Sequence, residues 1–166
     1  IGAMAFQNHL LSGALIIPND VMEIGAQAFS NTNITSLELP HNLKSIGGQA
    51  FYGCKSLSGT LSLPESLESL GENAFSGCIL LSGPLFIPSK IKEIPSACFS
   101  SCNFIGDLII PEGVTKIGEF AFNNCNQLNG RLLLPNSLKE IGNAAFRTCH
   151  FQGELTIPAQ LKIIPS

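Results

Sequence analysis

The sequence predicts a repeat solenoid, a right-handed stack of coils with a parallel β-sheet on one face and short helical turns and loops on the other. Phenylalanine recurs every 22 to 24 residues along the 166-residue chain, and proline keeps the same spacing. One unit reads Ile-Gly-x-x-Ala-Phe-x-x-Cys-x-x-Leu-x-Gly-x-Leu-x-Ile-Pro-x-x-Leu. A unit this short cannot bury its own apolar face, so consecutive units are expected to stack.

The recurrence covers the whole chain without a linker, which predicts one solenoid domain over residues 1–166. It contains seven units, and an eighth begins at Ile164. Because both ends fall in the middle of a unit, we expect the chain to be part of a longer protein.

Each unit contains one predicted strand. In the segment GTLSLP, residues 59–64, apolar and polar side chains alternate as in a half-buried strand. Pro64 ends the strand because proline has no N–H for a ladder. One leucine per strand is expected to point inward: Leu15, Leu37, Leu61, Leu85, Leu108, Leu132 and Leu155.

The phrase IGGQAFYGC, residues 46–54, predicts a short helical turn that faces the core. Its apolar residues Ile46, Ala50 and Cys54 are spaced at i, i+4 and i+8, with Phe51 beside them. Stacking then gives an interior column of rings: Phe6, Phe29, Phe51, Phe75, Phe99, Phe122 and Phe146.

Two glycines recur in each unit. The glycine after isoleucine is replaced by Pro95 and Pro165 in two units, so lack of space rather than a positive φ is expected there. The glycine before the strand is never proline and is expected to have a positive φ: Gly13, Gly59, Gly83, Gly106, Gly130 and Gly153.

Five of the six cysteines share one repeat position, Cys54, Cys78, Cys102, Cys125 and Cys149. Stacking brings their backbones within the distance of a disulfide, so one interpretation is a ladder of disulfides. Two others are a row of metal ligands and a catalytic nucleophile. Because His9 and Thr32 occupy the same position, we favour unpaired thiols that fill space in the core. Cys98 and Cys102 form a single C-x-x-x-C without a second pair, which is weak evidence for zinc.

The composition argues against several functions. With 13 % charged residues, a net charge of −3 and a pI near 5.5, the chain has no basic surface for nucleic acid. No apolar run is long enough to enter a membrane as a span. His9, His41 and His150 fall at different repeat positions, and no catalytic motif stands outside the repeat. We therefore expect no enzyme activity, no cofactor and no metal.

The phrase IGxxAFxxCxxLxGxLxIPxxL resembles the BspA-type leucine-rich repeat, and the resemblance spans all seven units. The departures are modest, with Thr32 or His9 at the cysteine position and no glycine before the second strand. The resemblance implies a leucine-rich-repeat solenoid and an exported or surface-anchored, non-catalytic binding or adhesion module. Its expected partner is a surface protein or a glycan of a host or neighbouring cell.

The outward residues of the strands indicate where a partner binds. Most are polar or isolated, but three consecutive units place Phe86, Ile109 and Leu133 side by side. Contiguous apolar surface rimmed by charge is typical of interaction sites. Four residues flank this stripe: Pro84, Asp107, Arg131 and Glu154. The alternative function is a structural spacer or a scaffold that self-associates through the stripe.

Overall fold

The computed structural model describes residues 1–162, which form a stack of parallel coils. The expected eighth unit at Ile164 and the proline at 165 lie outside these residues. Twelve short strands fall into two sets, and every pair of bonded strands is parallel. The parallel β-solenoid predicted from the repeat is therefore present.

The first set forms the predicted sheet face. Its strands pair as β1 with β3, β5 with β7, and β9 with β11. Their bounds are Ser12–Ile16 (β1), Asn33–Glu38 (β3), Ser58–Gly59 (β5), Leu80–Leu81 (β7), Leu108–Ile109 (β9) and Leu132–Leu133 (β11). Regular pairing is thus shorter than the alternating sequence suggests, and three of the seven marker leucines, Leu61, Leu85 and Leu155, lie outside a regular strand.

The second set lies where each unit reaches its isoleucine. These two-residue strands form the ladders β2-β4-β6 and β8-β10-β12. Their bounds are Glu23–Ile24 (β2), Ser45–Ile46 (β4), Ser69–Leu70 (β6), Glu93–Ile94 (β8), Lys116–Ile117 (β10) and Glu140–Ile141 (β12). The sequence did not predict these ladders, because a two-residue strand has no detectable alternation.

The register of the first set changes at a glycine in two of its three strand pairs. Gly59 pairs with Leu81 rather than with the equivalent Gly83, and β1 has a bulge after Gly13. Gly13 and Gly59 have φ values of 87° and 83°, as expected for the glycine before the strand. Gly130 is the exception, since its φ is not positive and an added Cβ would lie 2.3 Å from Asp107 Oδ1.

The predicted helical turns are wrong, because no helix occurs in residues 1–162. In residues 46–54, Gln49 and Gly53 have φ values of 57° and 66°, which a right-handed helix cannot contain. The N–H groups alternate in their partners. Phe51 N donates to Ala74 O in the next coil at 2.8 Å, whereas Ala50 N donates to Gly47 O within its own turn. Residues 46–54 thus form a run of β-turns that also makes hydrogen bonds to the next coil.

The phenylalanine rings stack along the axis of the solenoid. Consecutive centroids lie 5.2–5.9 Å apart, with interplanar angles of 5–16°. The five central rings are buried, but Phe6 is 42 % exposed and Phe146 is only partly buried. Leu155, expected to point inward, is 50 % exposed. These exceptions lie in the first and last described coils, where the stack covers them on one side only.

The glycine after isoleucine is needed for close approach of two coils. A Cβ on Gly71 would lie 2.1 Å from Gly48 N and 2.5 Å from Gly47 C. Gly71 does not have a positive φ, so the requirement is steric, as the sequence predicted. Gly2 occupies the same position in the first unit and has no neighbour within 4 Å.

Candidate functional site

The cysteine column lies in the interior, and its thiols link successive coils. The Sγ of Cys78 donates to Phe51 O at 3.1 Å, and the Sγ of Cys102 donates to Phe75 O at 3.2 Å. Cys54, Cys125 and Cys149 repeat the contact at 3.1–3.2 Å. Thr32 donates to Phe29 O at 2.9 Å, a carbonyl of its own turn, and so does not repeat this contact between coils. In five units this repeat position thus holds a thiol that donates to the preceding coil.

These thiols are poorly placed for nucleophilic or metal chemistry. Hydrogen bonds with Cys78 and Thr32 lower the pKa of Cys54 to about 7, but its thiol is fully buried. Burial raises the pKa of Cys125 to about 12 and that of Cys149 to about 11, and it raises the pKa of Cys98 and Cys102 as well. All six are free thiols, and only Cys149 is partly exposed rather than fully buried as expected. Among the described residues, no three His, Cys, Asp or Glu side chains lie close enough together to bind a metal ion.

The three stripe residues lie on the outside of the sheet face. Phe86 is 69 % exposed, Ile109 54 % and Leu133 39 %. Ile109 and Leu133 are registered neighbours across the β9–β11 pair. Phe86 and Ile109 line one groove of about 390 Å³. The structure therefore brings the three side chains onto one continuous surface.

A fourth apolar side chain, not singled out by the sequence analysis, joins this surface. Ile105 is 46 % exposed, and its N–H donates to Gly83 O at 3.0 Å, which places it beside Pro84. The sequence analysis considered one outward residue per strand. Strand alternation does not extend to Ile105, because Gly106 between it and β9 has a φ of 80°. We call Pro84, Phe86, Ile105, Ile109 and Leu133 the apolar patch.

The charged residues at the rim of the apolar patch are mainly paired with each other. Arg131 donates to Asp107 through its backbone N at 2.7 Å, through Nε at 3.2 Å and through Nη2 at 2.9 Å. The hydrogen bonds from the Arg131 backbone and side chain lower the pKa of Asp107 below its usual value. Glu154 is exposed in the next coil. The rim thus has a fixed carboxylate–guanidinium pair beside the apolar surface.

On the other coils, the outward residues of the sheet face are mostly polar. The residues equivalent to Phe86 include Glu38, Ser62 and Thr156, and all three are exposed. Ile16 in the first coil is also apolar and is 64 % exposed, but Glu38 and Ser62 separate it from the apolar patch. The described residues contain no helix that could cross a membrane.

Comparison with known sequences gives one family. Residues 1–129 and 92–166 match the family described as "BspA type Leucine rich repeat region (6 copies)". No curated protein matches the chain.

Solved structures show the same architecture. A leucine-rich repeat protein of Treponema pallidum is 29 % identical with a TM-score of 0.65, and the match covers 78 % of this chain and 69 % of that one. A leucine-rich cell surface protein of Faecalibacterium prausnitzii is 25 % identical with a TM-score of 0.65. That match covers 92 % of this chain and 51 % of the other, so the chain spans about half of that protein. A Bacteroides ovatus leucine-rich repeat protein, 21 % identical with a TM-score of 0.50, shares the fold over 90 % of this chain and 62 % of its own length.

Proposed function

This chain belongs to the BspA-type leucine-rich repeat family, and from that premise we propose that it is a non-catalytic recognition module of a cell surface or secreted protein. It binds a partner protein through the apolar patch on its sheet face. The family contains surface proteins, and the F. prausnitzii relative is described as a cell surface protein. Adhesion to a host or neighbouring cell is the proposed use of this binding.

The observation that supports the proposal is a local break in the polarity of the repeat. Packing within a solenoid requires apolar residues inside, but nothing in the stack requires Phe86 to be 69 % exposed. Cross-strand apolar pairs add about 0.2–1 kcal/mol each to the stability of a sheet. Polar cross-strand pairs could supply as much, so stability alone does not require apolar residues here. A contiguous exposed patch confined to three coils and rimmed by charge is instead typical of an interaction site.

The test compares two triple variants of the same chain. Phe86→Ser, Ile109→Ser and Leu133→Ser remove the apolar patch. Met4→Ser, Leu10→Ser and Met22→Ser remove three apolar side chains elsewhere, which are 58 %, 84 % and 57 % exposed. Circular dichroism should show both variants folded.

Wild type and both variants are applied to an array of purified extracellular proteins and glycans. We expect at least one protein on the array to bind the wild type and the control variant but not the patch variant. Equal binding by the patch variant, or no binding by the wild type, would contradict the proposal.

Self-association through the same surface is the alternative. It is favoured by the apolar patch itself, because a second copy related by twofold symmetry would bury the same exposed apolar side chains on both copies. Sedimentation of the wild type and the patch variant over a range of concentrations distinguishes the two functions. A dimer that depends on Phe86, Ile109 and Leu133 supports the alternative, whereas a monomer at all concentrations excludes it.

A further inference from the structure

We propose that the groove between Phe86 and Ile109 receives an apolar side chain from an extended segment of the partner, and that this segment carries a lysine or arginine beside the apolar residue. This inference rests on the proposed function, because it specifies the partner chemistry of the same surface. It follows from the shape of the groove, from the position of its two carboxylates and from the kind of polar atoms that it offers.

The groove has the size and walls of a pocket for one or two side chains. Its volume is about 390 Å³, within the range of small-ligand pockets, and its apolar walls include Pro84, Phe86, Ile109 and Pro111. An apolar side chain placed there would remove apolar area from water on both surfaces, which favours binding. The walls belong to two neighbouring coils, so the occupant must bridge them.

Two carboxylates line the same groove, and they are not equivalent. Asp107 is bound by Arg131, which neutralises it. Glu65 lines the groove as well and is exposed, and over residues 1–162 it forms no ion pair. The groove therefore has one uncompensated negative charge at its edge, which attracts a cation and repels an acidic segment.

The polar atoms favour a polypeptide over a sugar. Both polar side chains that line the groove are carboxylates, which only accept hydrogen bonds when ionised. Pro84 and Pro111 contribute no N–H. A sugar offers hydroxyl groups that need both donors and acceptors, whereas the ammonium or guanidinium of a basic side chain only donates. An extended chain that alternates apolar and basic residues satisfies both features of the groove.

The test uses a random heptapeptide library displayed on phage and selected on the intact protein. We expect enriched peptides to place Leu, Phe, Met or Ile next to, or two residues from, Lys or Arg. Enrichment of acidic or purely polar peptides, or no enrichment over the Phe86→Ser variant, would overturn the proposal.

Variants of the protein then test the apolar wall of the groove and the carboxylate of Glu65 separately. An enriched peptide is labelled with fluorescein and its affinity is measured by fluorescence anisotropy. Phe86→Ser should abolish binding, and Glu65→Gln should weaken it about 2- to 5-fold, less so at high salt. Glu38→Gln removes an equal exposed charge from the same face outside the groove and should change nothing. Equal affinity of the Glu65→Gln variant and the wild type would refute the role of the cation.

The result also separates this inference from the proposed function. Binding on the protein array that depends on the apolar patch, without a preference for basic peptides in the library, refutes only the partner chemistry. Failure of the array experiment refutes the recognition function itself.

Discussion

The thiol of Cys78 donates a hydrogen bond to the carbonyl oxygen of Phe51 in the preceding coil, with 3.1 Å between Sγ and O. The same oxygen accepts the N–H of Cys54 within its own turn at 3.3 Å. Both carbonyl lone pairs are thus used, one within a coil and one between coils, at a site with no access to water. This contact explains why the chain repeats cysteine, and it makes the role of each thiol testable.

The first prediction tests the hydrogen bond donated by Cys78 separately from the volume of its side chain. Cys78→Val has nearly the same shape as cysteine without a strong donor. In Cys78→Thr the hydroxyl should bond the carbonyl of its own turn, as Thr32 does with Phe29 O at 2.9 Å, so it would not restore the contact to Phe51 O in the preceding coil. We expect both variants to be less stable than the wild type by about 1 kcal/mol, since the buried carbonyl of Phe51 loses one hydrogen bond. Urea unfolding measures the difference, and a valine variant as stable as the wild type would contradict it.

The second prediction concerns the close approach of two coils. Gly71→Ala adds a methyl group that would lie 2.1 Å from Gly48 N. Because the neighbouring atoms belong to the backbone, the coils must separate, and we expect a loss of about 1–3 kcal/mol in the free energy of unfolding. Gly2→Ala is the matched control, with no atom within 4 Å, and should be nearly neutral. Similar effects at both positions would show that crowding is not the cause.

The third prediction concerns the oxidation state and accessibility of the cysteines. With all six as free thiols, the unfolded protein without reductant should release six equivalents in a thiol titration. In the folded protein at pH 8 we expect Cys149, the partly exposed one, to react first and the other five to react only on unfolding. Two or more missing equivalents would mean disulfides and would overturn the packing account.

The fourth prediction follows from the pKa of Cys125, which burial raises to about 12. The unfolded thiol has a pKa of about 8.5. The folded state therefore favours the protonated form, so this contribution to stability is fully present below pH about 8.5 and is lost as the pH rises towards 12. We expect the wild type to lose more stability than the Cys125→Val variant between pH 8.5 and 11. Parallel pH profiles in chemical denaturation would contradict this assignment.

The sequence predicted the stack and the direction of its side chains because both follow from strong local patterns. A period of 22 to 24 residues imposes stacking, and alternation around Leu108 and Leu132 imposes an inner and an outer face. The outward position of Phe86, Ile109 and Leu133 was predicted in the same way. Their use as a binding surface stays a prediction, because the pattern fixes exposure and says nothing of a partner.

The helical interpretation failed for an identifiable reason. Residues at i, i+4 and i+8 share a face in a helix, but four-residue spacing also arises when β-turns follow one another. Each unit has two residues with positive φ, the first two positions before the phenylalanine and the second two positions after it. The sequence does signal the second position, because it holds Asn31, Gly53 and Gly77, and Asn and Gly tolerate positive φ. The first position, with Gln49 and Ala97, has no such signal. There the conformation is stabilised by a bond to the next coil, as from Gln49 N to Glu72 O at 2.8 Å.

The stack of phenylalanine rings also determines how the molecule responds to force. Within the column each ring stacks on the ring above and the ring below it, so tension applied along the axis loads these interfaces in series and the weakest one yields first. Detaching a coil breaks one ring pair, one thiol bond and one set of backbone bonds, and it releases 22 to 24 residues. At about 3.5 Å per extended residue, each event lengthens the chain by roughly 80 Å. Under load the protein should therefore extend in equal steps and dissipate energy at each one, which suits a tether exposed to flow.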